Sequence, residues 1–185
     1  MSSKQTDNSR YAEKLKLRDI VSKENDKVLD CFHGNGKIWR QINTIKNVNV
    51  IGIEKDRDKG DASTIYGLAE KVIPSLDLSK FNIIDFDAYG SPYKSLKQIF
   101  DNKTLKEGTY ILYTFILTGM GAVDKLLLKE IGINSNMYKR CRLIYKKYSF
   151  IAFKHFLYKN GVRSIYNYHF IDGHSNKNYG YFVVE

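Results

Sequence analysis

Five short apolar runs, separated by segments of helical spacing, constrain this chain more than any other feature of it. They are KVLDCF (27–32), NVIGIE (49–54), a brief strand around Ile65, FNIIDFD (81–87) and GTYILYTFIL (108–117). Apolar runs of this length, bounded by turn residues, are strands buried on both faces. YAEKLKLRDIVSKE precedes the first run as an amphipathic helix, with Tyr11, Leu15, Ile20 and Val21 expected inward. KIWRQINTIK follows it with helical spacing through Ile38, Trp39, Ile42 and Ile45. Pro74 ends a helix after the third run, and Pro92 suits the first turn of another. AVDKLLLKEIG (122–132) and residues 135–161 are expected as helices, the latter closed by Gly161. SIYNYHFID and YGYFVVE then alternate as strands about the turn GHSNKN. Alternating strands and helices predict an α/β fold: a doubly wound, mostly parallel, seven-stranded sheet with an antiparallel C-terminal hairpin. Residues 10–185 form one domain on this reading, after a flexible 1–9.

Composition narrows the function. The chain has 185 residues, 43% apolar and 27% charged, as a globular protein requires. A formal net charge of +10 suggests a polyanionic partner, nucleic acid first, although a lysine-rich proteome would give the same excess. Cys31 and Cys141 have neither metal-ligand nor disulfide spacing and are expected as reduced core thiols, in keeping with a cytoplasmic setting. The four histidines form no metal motif, so no metal is expected. The polar N-terminus carries no secretory signal, and the run TYILYTFILTGMGAV is short for a membrane span and interrupted by threonine and glycine. No membrane partner is expected, and the oligomeric state is left open.

Three stretches carry chemistry. In VLDCFHGNGKIW (28–39) a strand delivers an acid, Asp30, to a turn holding Gly34 and Gly36, and a helix follows. Glycines there let backbone approach a ligand closely. A third glycine of the dinucleotide fingerprint is missing, and Asp30 would repel a pyrophosphate. A carboxylate in that place suits a cationic ligand, with an amino group or a sulfonium centre. In VIGIEKD (50–56), Glu54 stands about twenty residues on, at a strand end where a carboxylate accepts from both ribose hydroxyls. In IIDFDAYGSPY (83–93), Asp85 and Asp87 point to one face of a strand and Phe86 to the other. Asp87 could accept a hydrogen bond from an exocyclic amine, the Ala88 carbonyl could take the second hydrogen, and Tyr89 could stack on a base. Each stretch alone is also compatible with an ordinary turn.

Together, over about residues 27–118, these stretches resemble the class I S-adenosylmethionine-dependent methyltransferases. DFDAYGSPY occupies the place of their catalytic amino-methyltransferase motif and is most similar to the D-x-D-P-[FY]-G-[ST]-P stretch of the tRNA guanine-N2 dimethyltransferases. The resemblance implies a Rossmann-like fold and S-adenosyl-L-methionine as cofactor. It implies cofactor binding by Asp30, Phe32, Gly34, Gly36, Glu54, Lys55 and Asp85, the last either supporting the pocket or serving the structure. Asp87, Ala88 and Tyr89 would be the catalytic loop. Ala88 replaces the family's proline, and Leu68 stands where an acid often meets the adenine, with Glu70 and Asp61 nearby. His33 either touches the cofactor or fills the loop.

A basic, aromatic segment, YKRCRLIYKKYSFIAFKHFLYK (138–159), completes the inventory. On one continuous helix Lys139, Arg142 and Lys146 would share a face, with Arg140 and Lys147 nearby, suited to nucleic-acid phosphates or simply to solvent. The expectation is an N-methyltransferase acting on an exocyclic amine of a nucleic-acid base, RNA ahead of DNA and tRNA or rRNA guanine favoured. Methylation of adenine or cytosine in DNA, and a non-catalytic nucleic-acid-binding role, stay open.

Overall fold

The apolar runs become five parallel strands: β1 (Lys27–Asp30), β2 (Asn49–Glu54), β3 (Thr64–Tyr66), β4 (Ile83–Phe86) and β5 (Tyr110–Leu117). β6 (Tyr166–Asp172) and β7 (Ser175–Val183) form the terminal hairpin, and β7 runs antiparallel to both β5 and β6. The strand order is β3-β2-β1-β4-β5-β7-β6. The chain therefore winds outward from β1 in both directions, and the crevice between β1 and β4 is the switch point at which such sheets bind ligands. This computed structural model describes residues 10–117, 124–141, 143–172 and 175–185, without the side chains of residues 143, 145, 146, 172 and 175. The expected flexible segment 1–9, Arg142, and Gly173 and His174 of the hairpin turn lie outside the described residues.

Helices cover both faces. α1 (Tyr11–Val21) and α2 (Lys37–Lys46) bury Leu17, Val21, Trp39 and Ile42 against Val28, Ile83, Leu112 and Tyr179. On the other face lie α3 (Ala69–Val72), α4 (Tyr93–Phe100), α5 (Lys125–Lys129) and α7 (Leu143–Lys159), packed on Leu29, Ile53, Ile84, Phe86, Ile111, Tyr113 and Phe115. Residues alternate between these two cores along β1, β4 and β5, as strands buried on both sides demand. Among the described residues, no helix is long and apolar enough to cross a membrane.

Three local expectations are corrected. The helix expected over 135–161 is two: α6 (Ser135–Arg140) ends at Cys141, whose φ of −141° and ψ of 89° break it before α7 begins. Lys139 and Lys147 thus sit on different helices, and no single helical face joins them. Cys141, at this break, is exposed rather than core, whereas Cys31 is buried. Finally, α1 turns Lys14, Leu17, Arg18 and Val21 inward, leaving Ile20 50% exposed and Tyr11 and Leu15 only partly covered. Two cations on the inward face of a helix require buried partners, and these lie in the site.

Candidate active site

The turn after β1 is built around a histidine. The Cys31 amide donates to the Asp85 carbonyl at 2.9 Å and the His33 amide to the Ile53 carbonyl at 3.0 Å, so the chain stays stitched to both neighbouring strands. It then reverses through Gly34 and Gly36, at φ values of 54° and 62° that favour glycine. His33 is buried beneath this turn, its Nδ1 3.1 Å from Asp30 Oδ2 and its Nε2 3.2 Å from Asp61 Oδ2. A Cβ at Gly36 or at Gly52 of β2 would collide with the His33 ring, so both glycines make room for it. Burial opposes protonation of His33, but the two carboxylates outweigh it and raise its pKa above the ordinary value. Asp61 is held far below the carboxylate range, first by the Ser63 hydroxyl and then, against burial, by His33.

Glu54 fastens the same turn from the next strand. Its Oε2 accepts from the Gly34 amide at 2.8 Å and its Oε1 from the Asp56 amide at 2.9 Å. A carboxylate offers about four lone-pair sites, so two remain for a ligand's hydroxyl groups.

Asp85 and Asp87 point from β4 and its end toward α1 and α2. Asp85 is fully buried and held by three donors: Arg18 Nε at 2.8 Å and Nη2 at 2.7 Å, in a two-pronged pair, and Trp39 Nε1 at 2.8 Å. Asp87 accepts from Lys14, whose Nζ lies 2.8 Å from Oδ1 and 3.0 Å from Oδ2, and from the Thr114 hydroxyl at 2.7 Å. The two acids titrate oppositely. Burial pushes Asp85 up to about 6; Arg18 works against this, and the charges of Asp30 and Asp87 add to it. At Asp87 burial is overcome by Arg18, Lys14 and Thr114, and its carboxyl falls below the ordinary value. Asp87 therefore presents an ionised acceptor.

These elements surround one cavity of about 810 Å³, in the size range of small-molecule and cofactor sites. Asp30, Phe32, Gly34, Gly36, Glu54, Lys55, Asp85, Asp87, Ala88 and Tyr89 all line it. Ala88 is buried and Tyr89 is 76% exposed at the rim. Gly67, Leu68, Ala69 and Glu70 form a further wall, so Glu70 faces the cavity while Asp61 is engaged beneath the turn by His33. Lys139, Arg140 and Lys147 are exposed and are not among the lining residues. Arg142 and the Lys146 side chain lie outside the described residues. Lys14 and Arg18 line the cavity too and were not expected there from the sequence. Their signal was present: cations four residues apart on the face that carries Leu17 and Val21, opposite two acids in a buried strand.

The residues present fit S-adenosylmethionine. A glycine turn without side chains offers close approach, buried Asp30 suits a cationic amino acid or sulfonium, and Glu54 keeps acceptor capacity for a ribose. Among the described residues, no group of histidine, cysteine, aspartate and glutamate side chains is placed to hold a metal ion.

No family model matches the chain, and no curated protein matches it in sequence. Solved structures match it in fold. A SAM-dependent methyltransferase from Archaeoglobus fulgidus superposes with a TM-score of 0.54 at 15% identity, covering 94% of each chain. A candidate rRNA methylase from Clostridium thermocellum gives 0.59 at 12% identity, covering 98% of this chain and 99% of that one. M. jannaschii TYW2 in complex with AdoMet gives 0.57 at 16% identity, covering 99% and 80%. Two other neighbours are longer, and the chain spans 66% and 52% of them. At these identities the likeness establishes a shared fold, the Rossmann-like α/β fold of the S-adenosylmethionine-dependent methyltransferases.

Proposed function

We propose that this protein is an S-adenosylmethionine-dependent methyltransferase acting on an exocyclic amine of a nucleic-acid base, with RNA, and tRNA or rRNA guanine within it, as the favoured substrate. One observation carries the reading. The glycine turn with its two carboxylates and the Asp87-Ala88-Tyr89 loop open onto a single cavity at the sheet's switch point. A cofactor cradle and an amine-binding loop on one cavity are what transfer between two ligands requires. Support comes also from the fold neighbours, among them a candidate rRNA methylase and a protein bound to AdoMet, and from the net charge of +10.

S-adenosylmethionine, when bound, supplies a methyl group already activated on a sulfonium. The chain's own residues then have positioning work. Asp87 accepts a hydrogen from the amine and draws the nitrogen lone pair forward. The Ala88 carbonyl accepts the second hydrogen, and Tyr89 stacks on the base. Lys14 and Thr114 fix the Asp87 carboxylate, and the charge of Arg18, with Lys14 and Thr114, keeps it ionised. No strong base is needed, since the amine proton can leave after transfer. Lys139, Arg140 and Lys147 are proposed to meet phosphates outside the cavity, and the sequence adds Arg142 and Lys146 as phosphate-binding candidates. A second, non-catalytic reading, a nucleic-acid-binding protein on this fold, rests on Ala88 in the family's proline position and Leu68 in place of an acid.

The test is transfer of labelled methyl to separate pools of unmodified tRNA, ribosomal RNA and DNA, with the modified nucleoside identified. A base methylated on its exocyclic nitrogen is the expected product. Label on a ring nitrogen or a sugar would overturn the amine reading. Cofactor and RNA binding without turnover would establish the non-catalytic one.

A further inference from the structure

Beyond the cavity, the sheet face covered by α1 carries a run of rings that the proposed reaction does not use. Strand parity puts Tyr166, Tyr168 and Phe170 of β6 on this face, beside Tyr179 and Tyr181 of β7 and Tyr110 of β5. The rings touch in succession. Tyr110 and Tyr181 have centroids 6.0 Å apart, Tyr181 and Tyr166 5.0 Å, and Tyr166 and Tyr168 5.2 Å. Tyr168 and Phe170 follow at 6.4 Å, then Phe170 and Tyr179 at 5.8 Å. The rings approach the cavity through α1: Tyr11, which lines the cavity, adjoins Arg10, whose guanidinium covers Phe170, while Lys14 lies 5.6 Å over the buried Tyr179 ring. Along β6 away from Tyr179 the rings open to solvent: Phe170 and Tyr168 are partly covered and Tyr166 is 42% exposed.

Cations accompany the rings. The Arg10 guanidinium lies 4.5 Å over Phe170, and Lys16 acts electrostatically on Tyr166. Half-exposed rings ending in hydroxyls, interleaved with cations and leading out of a cavity, have the chemistry that holds unpaired bases and their phosphates. The Tyr166 hydroxyl donates to that of Tyr168 at 2.7 Å and Arg10 meets Glu13 at 3.4 Å, so rings and cations are held in place at this surface. We propose that this face is a track for the single-stranded polynucleotide flanking the target base, with bases stacking on Tyr166 and Tyr168 and phosphates meeting Arg10 and Lys16. The track deepens the proposed nucleic-acid function, but binding alone reads it, so a failure of methyl transfer would not be mistaken for its failure.

The experiment is anisotropy titration of short labelled RNA and DNA single strands, and of the matching duplex, with the unaltered protein, the double variant Tyr166→Leu/Tyr168→Leu, and Lys16→Gln. Single strands should bind the double variant about tenfold or more weakly, as lost base stacking implies, with S-adenosylmethionine affinity and melting temperature retained. Lys16→Gln should reduce the salt dependence of binding by about one phosphate contact. The RNA and DNA arms decide which polymer the track prefers. Photocross-linking the unaltered protein to the same strand should place adducts within residues 166–170, which guards against a variant that merely misfolds. Unchanged single-strand affinity in the double variant, adducts confined elsewhere, or a protein dimer that the tyrosine substitutions dissolve would overturn the proposal; the last would give the face to a second copy.

Discussion

Lys14 on α1 holds its ammonium 2.8 Å from the carboxylate of Asp87, which lies seventy-three residues later beyond the end of β4. The pair ties the first helix of the chain to the loop proposed to orient the substrate, and beside it Arg18 makes the parallel connection to Asp85. A strand that delivers two carboxylates into a buried crevice needs compensating charge there. A helix presenting two cations one turn apart supplies it.

Lys14→Met should therefore impair methyl transfer more than it impairs folding. Without the ammonium the Asp87 carboxyl rises from its depressed value, so the acid limb of the pH–rate profile moves to higher pH. Lys14→Arg keeps the charge and should restore most of the profile. An unshifted acid limb in Lys14→Met would show that the pair does not tune the acceptor.

Arg18→Met leaves Asp85 buried without its cation and should destabilise the fold by about 3–5 kcal/mol in urea denaturation. Arg18→Met combined with Asp85→Leu should recover much of the loss, because an apolar pair of similar volume avoids burying charge. Trp39→Phe removes one donor to a charged acceptor and should cost about 1.5–3 kcal/mol.

Much of this architecture was legible in the sequence. The alternation of apolar runs and helical segments predicted the succession of strands and helices along the chain and the closing hairpin, because strands buried on both faces leave an unmistakable apolar signature. The same period-two reasoning put Asp85 and Asp87 on one face and Phe86 on the other, as they lie. What failed was the treatment of charge on helices. The buried stripe expected for α1 counts only apolar residues, so it includes Ile20, which is exposed, and omits Lys14 and Arg18, which are buried. The break at Cys141 had no signal either: no glycine or proline marks it, and its neighbours have ordinary helical character. His33 was visible as a loop residue three positions after Asp30, but its second carboxylate partner, Asp61, meets it only through the fold of β2 and the loop beyond.

Gly52→Ala should weaken both stability and cofactor binding, since its new methyl meets the His33 ring beneath the glycine turn. The double variant Gly52→Ala/His33→Ala should lose less than the two single effects predict, because contacting residues couple. Strict additivity in calorimetric cofactor binding and in thermal melting would contradict this packing.

The stability difference between the unaltered protein and His33→Gln should depend on pH with a definite sign. Because the native pKa of His33 is raised, its contribution is fully present below about 6.5 and is lost as pH rises through the native value. Asp61 acts in the opposite sense: its depressed pKa gives stability above about pH 4, lost as pH falls through the native value. Denaturation across this range should show the largest difference on the acid side of neutrality. A difference that grows with pH would contradict the bridge.

The most direct test of the central claim compares the unaltered protein with Asp87→Ala in two assays, calorimetric binding of S-adenosylmethionine and transfer of its labelled methyl to RNA. The account predicts that cofactor affinity stays within a small factor while transfer falls by about two orders of magnitude or more, a loss of roughly 3 kcal/mol of transition-state stabilisation. Undiminished transfer, or equal loss of binding and transfer, would contradict the assignment of Asp87 as the residue that orients the amine.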